Sequence, residues 1–167
     1  MATTALRGNP VATSGDLPAV GSQAPDFVLT GVDLKDVTLA DVAGHPTVLN
    51  IFPSVDTGIC AMSVRRFNAD IVAVPNAVCL CISRDLPFAL KRFCGAEGLA
   101  AVRPVSELRN LDFGAAYGVR LLNSGMAGLL GRAVVVIDGA GRVVYTELVP
   151  EITTEPNYAA ALAALAG

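Results

Sequence analysis

Histidine occurs once in the 167 residues, as His45, and tryptophan does not occur at all. A histidine-based metal cluster is therefore excluded, and a Ser-His-Asp device would have to be built on His45 alone. No apolar stretch reaches the ~18 residues needed to span a bilayer, because charged and turn residues interrupt every run. Met1 to Leu17 holds one cation, Arg7, and no apolar segment of the signal-peptide kind, so a cytoplasmic location is expected. Charge is scarce too: 16% of residues are charged and the net charge is −3, which gives no electrostatic reason for nucleic acid or an anionic membrane as partner. The glycines of Gly125 to Gly131 are not followed by a Lys-Ser/Thr pair, which excludes a phosphate loop. Nor is there a Cys-x-x-Cys pair, the motif that tunes a thiol for disulfide exchange.

What is present suits one domain over residues 1–167: 53% of residues are hydrophobic, enough to build a core without staples. Residues 3–14 read as a hairpin turning at Gly8-Asn9-Pro10, so 1–16 form an N-terminal extension. Strands are expected at Phe27–Thr30, Val37–Leu39, Thr47–Phe52, Ala77–Ile82 and Val102–Val105. Ala133–Asp138 and Arg142–Leu148 form a closing hairpin through Gly139-Ala140-Gly141. Cys60, Val64, Phe67 and Ile71 recur at spacings of four, three and four, one face of a helix that ends at Pro75-Asn76. A second helix starts at Leu86-Pro87, with Leu86, Leu90 and Phe93 on its apolar face and Cys94 at its end before Gly95, which reads as the stop. Short helical segments are expected at Ala40–Gly44 and Asn110–Tyr117, and a last helix follows Pro156. This succession predicts an α/β fold with a mixed central sheet flanked by helices.

Four cysteines, Cys60, Cys79, Cys81 and Cys94, carry the candidate chemistry. Cys79 and Cys81 lie two apart on a strand and face the same side, where packing as small apolar residues is the expectation. Cys60 is different. An apolar strand ends at Phe52, Pro53 turns the chain, and Thr57 precedes Cys60 by three residues, which places the thiol in the first turn of a helix. An ordinary thiol with a pKa of ~8.5 is only ~3% ionised at pH 7, and unpaired N–H groups at a helix start favour the reactive anion. The Thr57 hydroxyl can cap the helix or hydrogen-bond an incoming oxygen. Spacing alone equally describes a packed core cysteine beside a capping threonine. Arg132, on the same footing, reads as a structural ion-pair partner, His45 as a loop residue, and Arg65, Arg66, Lys91 and Arg92 as solvated helix faces.

The run Pro53-x-x-x-Thr57-x-x-Cys60 resembles the peroxidatic motif of the peroxiredoxins. The longer block Asn50–Cys60 with Ser63-Val64-Arg65 and Phe67 is similar to the bacterial thiol peroxidases, the atypical two-cysteine subfamily. Asp85–Ala89 with Arg92–Gly98, and Arg132–Asp138 with Glu151–Pro156, match the same subfamily in the same order. The resemblance implies a thioredoxin-like fold and a peroxidase acting on hydrogen peroxide and organic hydroperoxides, with no cofactor and no metal. It implies Cys60 as the peroxidatic cysteine and Pro53, Thr57 and Arg132 as the substrate pocket. Cys94 is implied as the resolving cysteine, forming a disulfide with Cys60 within one subunit; thioredoxin is the implied reductant and a homodimer the implied assembly. Because both cysteines fall on helices, a bond between them predicts local unwinding during turnover. One departure stands out: Leu121-Leu122-Asn123-Ser124-Gly125-Met126 replaces the acidic residue, glycine and proline usual in that loop, at the expected rim of the pocket. The same cysteine would also serve a redox sensor or holdase with little turnover.

Overall fold

The computed structural model describes residues 1–167. An antiparallel hairpin of β1 (Thr3–Leu6) and β2 (Asn9–Ala12) precedes a seven-stranded mixed sheet. Along the chain that sheet comprises β3 (Val28–Gly31), β4 (Asp36–Thr38), β5 (Thr47–Ile51), β6 (Val78–Ser83), β7 (Arg103–Ser106), β8 (Ala133–Ile137) and β9 (Val143–Leu148), in the spatial order β4-β3-β7-β6-β5-β8-β9. The central strands β5, β6 and β7 are parallel, and the outer pairings are antiparallel. Four α-helices complete the fold: α1 (Gly58–Asp70), α2 (Pro87–Glu97), α3 (Asp112–Ala116) and α4 (Tyr158–Ala166). The parallel strands are connected by α1 and α2, and the mixed, helix-flanked sheet is the thioredoxin-like arrangement expected.

The continuous apolar runs form the sheet's middle because both faces are covered. Every residue of β5 and of β8 is buried. Alternation then sorts the side chains. Leu49, Ile51, Leu80, Ile82, Val135 and Ile137 meet Phe27, Phe113 and Tyr117 on one face. Val48, Cys79, Cys81, Val134 and Val136 meet α1, α2 and α4 on the other, through Val64, Phe67, Leu90 and Tyr158. All four cysteines belong to this second core. At ~1.5–3 kcal/mol for each fully buried aliphatic or aromatic side chain, this packing fixes where the strand ends lie, and hence where the loops after β5 and β6 begin.

Several local expectations are corrected. The N-terminal hairpin turns at Arg7-Gly8, not at Gly8-Asn9-Pro10, since Leu6 pairs with Asn9 and Pro10 sits in β2 opposite Ala5. A two-residue turn of this hand needs positive φ at both positions, and Arg7 (51°) and Gly8 (81°) supply it. Helix α2 does not stop at Gly95. It continues to Glu97 and ends at Gly98, whose φ of 67° suits a residue without a Cβ. Leu86 caps that helix from outside and is 53% exposed, so Leu90 and Cys94 form the buried face instead. Helix α1 ends at Asp70 and passes into a 3₁₀ turn, Ile71–Ala73, before Pro75.

Candidate active site

The C-terminal end of β5 delivers the chain to the site. Pro53 follows directly, and a turn over Ser54–Thr57 is closed by the Thr57 amide donating to the Ser54 carbonyl at 3.2 Å. Thr57 is extended (φ −107°, ψ 146°) and its carbonyl accepts from the Ala61 amide at 3.0 Å, which starts α1. The threonine side chain does not cap the helix: its hydroxyl donates to the Ser54 carbonyl at 3.1 Å. Cys60 thereby becomes the third residue of α1, fully buried.

From the start of β8, Arg132 reaches the same point. Its Nη2 donates to Cys60 Sγ at 3.2 Å and its Nε to the Ile152 carbonyl at 2.8 Å. The guanidinium is 2% exposed, and its Nη1 has no partner. An unpartnered donor on a buried cation carries a desolvation cost that an incoming oxygen would remove. Arg132 forms part of the wall of a cavity of about 340 Å³, together with Pro53, Thr57, Gly58, Ile59, Leu6, Arg7, Met126, Ile152 and Thr153. Cys60 lies behind this wall.

The structure brings Pro53, Thr57, Cys60 and Arg132 together and leaves Cys94 apart. Cys94 lines a second cavity of about 390 Å³ with Val32, Lys91, Gly95, Gly98, Leu99, Ala100 and Pro104, sharing no residue with the first. All four cysteines are free thiols. Burial, and then the neighbouring Cys81, push the Cys94 thiol up to about 11. Cys79 and Cys81 hold their sulfurs 3.9 Å apart within the core, and the Cys79 thiol is pushed well above its ordinary value by its hydrogen bond to Cys81 and by burial. His45 sits at the other end of β5, its Nδ1 2.9 Å from the Asn76 carbonyl. Arg65, Arg66, Lys91 and Arg92 lie on solvent-exposed helix faces as expected, and exposed ion pairs form there, Arg65 with Glu97 at 2.8 Å and Arg66 with Asp70 at 2.6 Å. No three His, Cys, Asp or Glu side chains form a metal-ligating group, and no helix is long and apolar enough to cross a membrane.

Three supporting groups were not legible from spacing. Asp85, in the loop between β6 and α2, accepts from the Ser54 hydroxyl at 2.6 Å, the Val55 amide at 2.9 Å and the Ser83 hydroxyl at 2.7 Å. It ties the turn before Cys60 to the start of the helix that carries Cys94. Asn50 of β5 donates to Ser63 Oγ at 3.2 Å, and Ser63 donates to the Cys60 carbonyl at 2.8 Å, bracing the first turn of α1 from below. Glu151 accepts from the amides of Gly8 and Arg7 at 2.9 Å each, which holds its carboxyl at about 2 and fastens the hairpin tip to the cavity. The sequence signals for Asp85 were its place between a strand end and a helix-starting proline and its membership of the matched block Asp85–Ala89, neither of which gave it a role.

The Redoxin family model matches residues 19–162. The thiol peroxidase of Mycobacterium tuberculosis is 58% identical over 165 residues, 99% of either chain, and that of Corynebacterium glutamicum is 54% identical with the same coverage. The crystal structure of a peroxiredoxin-like protein from Aquifex aeolicus superposes with a TM-score of 0.92 at 36% identity, covering 98% of this chain and 95% of that one. These relatives do not favour a sensor or holdase with little turnover. Taken with the buried thiol, its arginine and the cavity beside them, they show that the chain belongs to the redoxin family and, within it, to the bacterial thiol peroxidases, which makes it a thiol-dependent peroxidase of the peroxiredoxin type.

Proposed function

We propose that Cys60 is the peroxidatic thiol and Cys94 the resolving thiol of a hydroperoxide reductase recycled by thioredoxin. The observation that carries the assignment is the 3.2 Å contact from Arg132 Nη2 to Cys60 Sγ, with Nη1 of the same guanidinium unpartnered. In the first step the Cys60 thiolate attacks the terminal oxygen of the peroxide. The O–O bond breaks, the sulfur becomes a sulfenic acid, and the leaving alkoxide or hydroxide takes up a proton. Arg132 stabilises the negative charge that moves from sulfur to leaving oxygen, and Thr57 and Pro53 shape the approach. In the second step the Cys94 sulfur displaces water from the sulfenic acid, giving a Cys60–Cys94 disulfide. A dithiol reductant then returns both to thiols by exchange. Hydrogen peroxide and organic hydroperoxides are both substrates in this reading.

Cys94 in its helix is poorly suited to the second step. With a thiol at about 11, only on the order of one molecule in 10⁴ is ionised there at pH 7. Unwinding of the last turn of α2 both frees the thiol and brings it toward Cys60. A homodimer is part of the proposal, supported by Leu34, Leu86, Phe88 and Leu108, exposed apolar side chains grouped around one shallow cavity. So is a reducing cytoplasm, which keeps the four cysteines as thiols.

The test couples NADPH oxidation to thioredoxin reductase, thioredoxin and a hydroperoxide. Wild type turns over, Cys60→Ser loses all peroxidase activity, and Cys94→Ser stops after one equivalent with thioredoxin as reductant. Turnover by Cys60→Ser would overturn the assignment.

A further inference from the structure

The cavity that Cys94 lines has no part in the capture of peroxide. It holds about 390 Å³, more than the cavity beside Arg132, and lies against the last turn of α2. Val32, Leu99, Ala100 and Pro104 make its wall apolar, with Cys94 and the glycines of that turn completing it. Val32 and Leu99 belong to the second core and are only partly covered there. The one charged side chain on the wall is Lys91, three residues before Cys94, and no acid lines it. Lys91 is exposed and belongs to none of the ion pairs of the molecule.

The sheet leaves this space because β3 and β7 part early. They pair only at Thr30–Ser106 and Gly31–Val105, and the chain then turns away, the Leu34 amide donating to the Gly31 carbonyl at 2.9 Å. Arg103 and Pro104 pair with β6 on one side and with no strand on the other. An added strand would not be completed there, since Pro104 has no N–H to offer. A second cavity of about 290 Å³ continues past Val32 and Pro104, which line both, to Val37, Val102 and Arg103. Asp33 also lines this second part, so the cation that stands without an acid beside it is Lys91. In the first part a polar ligand would find no side-chain partner but Lys91 and the Cys94 thiol. One cation at the end of a long apolar groove describes a molecule with one anionic head and a hydrocarbon body.

We propose that this groove binds a medium-chain aliphatic carboxylate, with the carboxylate on Lys91 and the chain along Leu99, Val32 and Pro104 toward Val102, and that the bound molecule slows the resolving step. Its contacts with Cys94, Gly95 and Gly98 exist only while the last turn of α2 is wound. A ligand that binds the wound turn and not the opened one lowers the opened population by the factor 1 + [ligand]/Kd. The sulfenic acid on Cys60 then lasts longer, while its formation is untouched, because the two cavities share no residue. The effect on turnover rests on the two-step reading of the peroxidase; the binding does not. Lys91 is exposed, so its pairing is screened and contributes a few-fold that salt weakens, and the buried hydrocarbon supplies the rest.

The test titrates octanoate into the reduced protein by calorimetry. Saturable binding is expected, about 3- to 5-fold tighter than that of 1-octanol at low ionic strength; Lys91→Gln removes the difference and Lys91→Arg keeps most of it. Val32→Phe fills the groove from the β3–β4 turn and abolishes binding. In the Cys60→Ser protein, alkylation of Cys94 by iodoacetamide, read by mass spectrometry, slows about elevenfold at ten times Kd. In wild type the sulfenate lifetime lengthens by the same factor, and sulfenate formation keeps its rate. Absence of saturable binding, equal affinity for octanoate and 1-octanol, or binding that survives Val32→Phe would each overturn the proposal. So would octanoate that slows sulfenate formation instead, because its carboxylate would then sit on Arg132. Protection of Cys94 by octanoate in a protein that turns over no peroxide would keep the site and sink the peroxidase chemistry.

Discussion

The start of α1 and the end of α2 are built on opposite plans, although each carries a thiol. Around Cys60 every neighbour is fastened: Arg132 holds the sulfur, Ser63 and Asn50 brace the helix turn, and Asp85 accepts three hydrogen bonds from the loops on either side. Around Cys94 there is little to fasten. Its carbonyl accepts from the Leu99 amide at 2.9 Å, glycines stand one and four residues further on, and its side chain lines a largely apolar cavity. The ion pairs from this helix to α1 and to the turn before it are exposed: Arg65 to Glu97 at 2.8 Å, and Arg92 to Asp56 at 3.3 Å. Such pairs contribute ~0–1 kcal/mol, far less than a buried network. On the proposed roles, the thiol that meets peroxide is the one held, and the thiol that resolves it sits on a turn that opens cheaply.

The largest effect should come from the held side. Arg132→Gln removes the donor to sulfur and to the leaving oxygen, and kcat/KM for peroxide is expected to fall about 10²- to 10³-fold, the usual loss for one such donor. Stopped-flow measurement of sulfenate formation in the Cys94→Ser background isolates this step. An equal fall in the disulfide-forming step would blur the contrast.

pH separates the two thiols next. Burial pushes the folded Cys94 thiol up to about 11, so attack from an intact helix would quicken roughly tenfold per pH unit toward that value. After unwinding, the thiol titrates near its ordinary ~8.5, and the rate of disulfide formation is expected to level off there, about 30-fold above pH 7. The stability sign follows from the same shift. The raised thiol contributes stability that is fully present below its unfolded value and is lost as pH rises through about 11, so thermal unfolding should fall between pH 9 and 11.

Asp85→Asn replaces one accepting oxygen with a donor and leaves the Ser54 hydroxyl or the Val55 amide unpaired, at a cost of ~1–3 kcal/mol. The expected result is about a tenfold slower oxidation of Cys60 by peroxide, with the Cys94 step unchanged. The smallest effect is Gly95→Ala. Nothing lies within 4 Å of the added Cβ, so the methyl fits and adds up to ~1 kcal/mol of helix propensity. Sulfenate formation should be unaffected, while disulfide formation slows about two- to fivefold, read from sulfenate lifetime.

Much of the fold was legible because buried strands announce themselves. Thr47–Ile51 and Ala133–Ile137 are buried on both faces and mostly apolar, and the Cys60-Val64-Phe67 spacing gave the inward face of α1. What failed was local conformation. Gly95 and Gly98 are the same residue in sequence, and only the left-handed backbone at Gly98, with the Leu99 amide returning to the Cys94 carbonyl, decides which ends the helix. The hairpin turn fell one residue early because Glu151, distant in sequence, accepts the amides of Arg7 and Gly8. Arg132 was found through a family motif, since no spacing rule places an arginine beside a cysteine 72 positions away. Asp85 stood in a matched block with no role, for its partners lie on a different loop. Contacts long in sequence and made by single side chains leave no periodic trace.

The most direct measurement oxidises the reduced protein with one equivalent of hydroperoxide and maps its disulfides by mass spectrometry. A single Cys60–Cys94 bond, with Cys79 and Cys81 still free thiols, is the expected result. A Cys79–Cys81 bond, or a link from Cys60 to Cys81, would contradict the division between a held thiol and a travelling one.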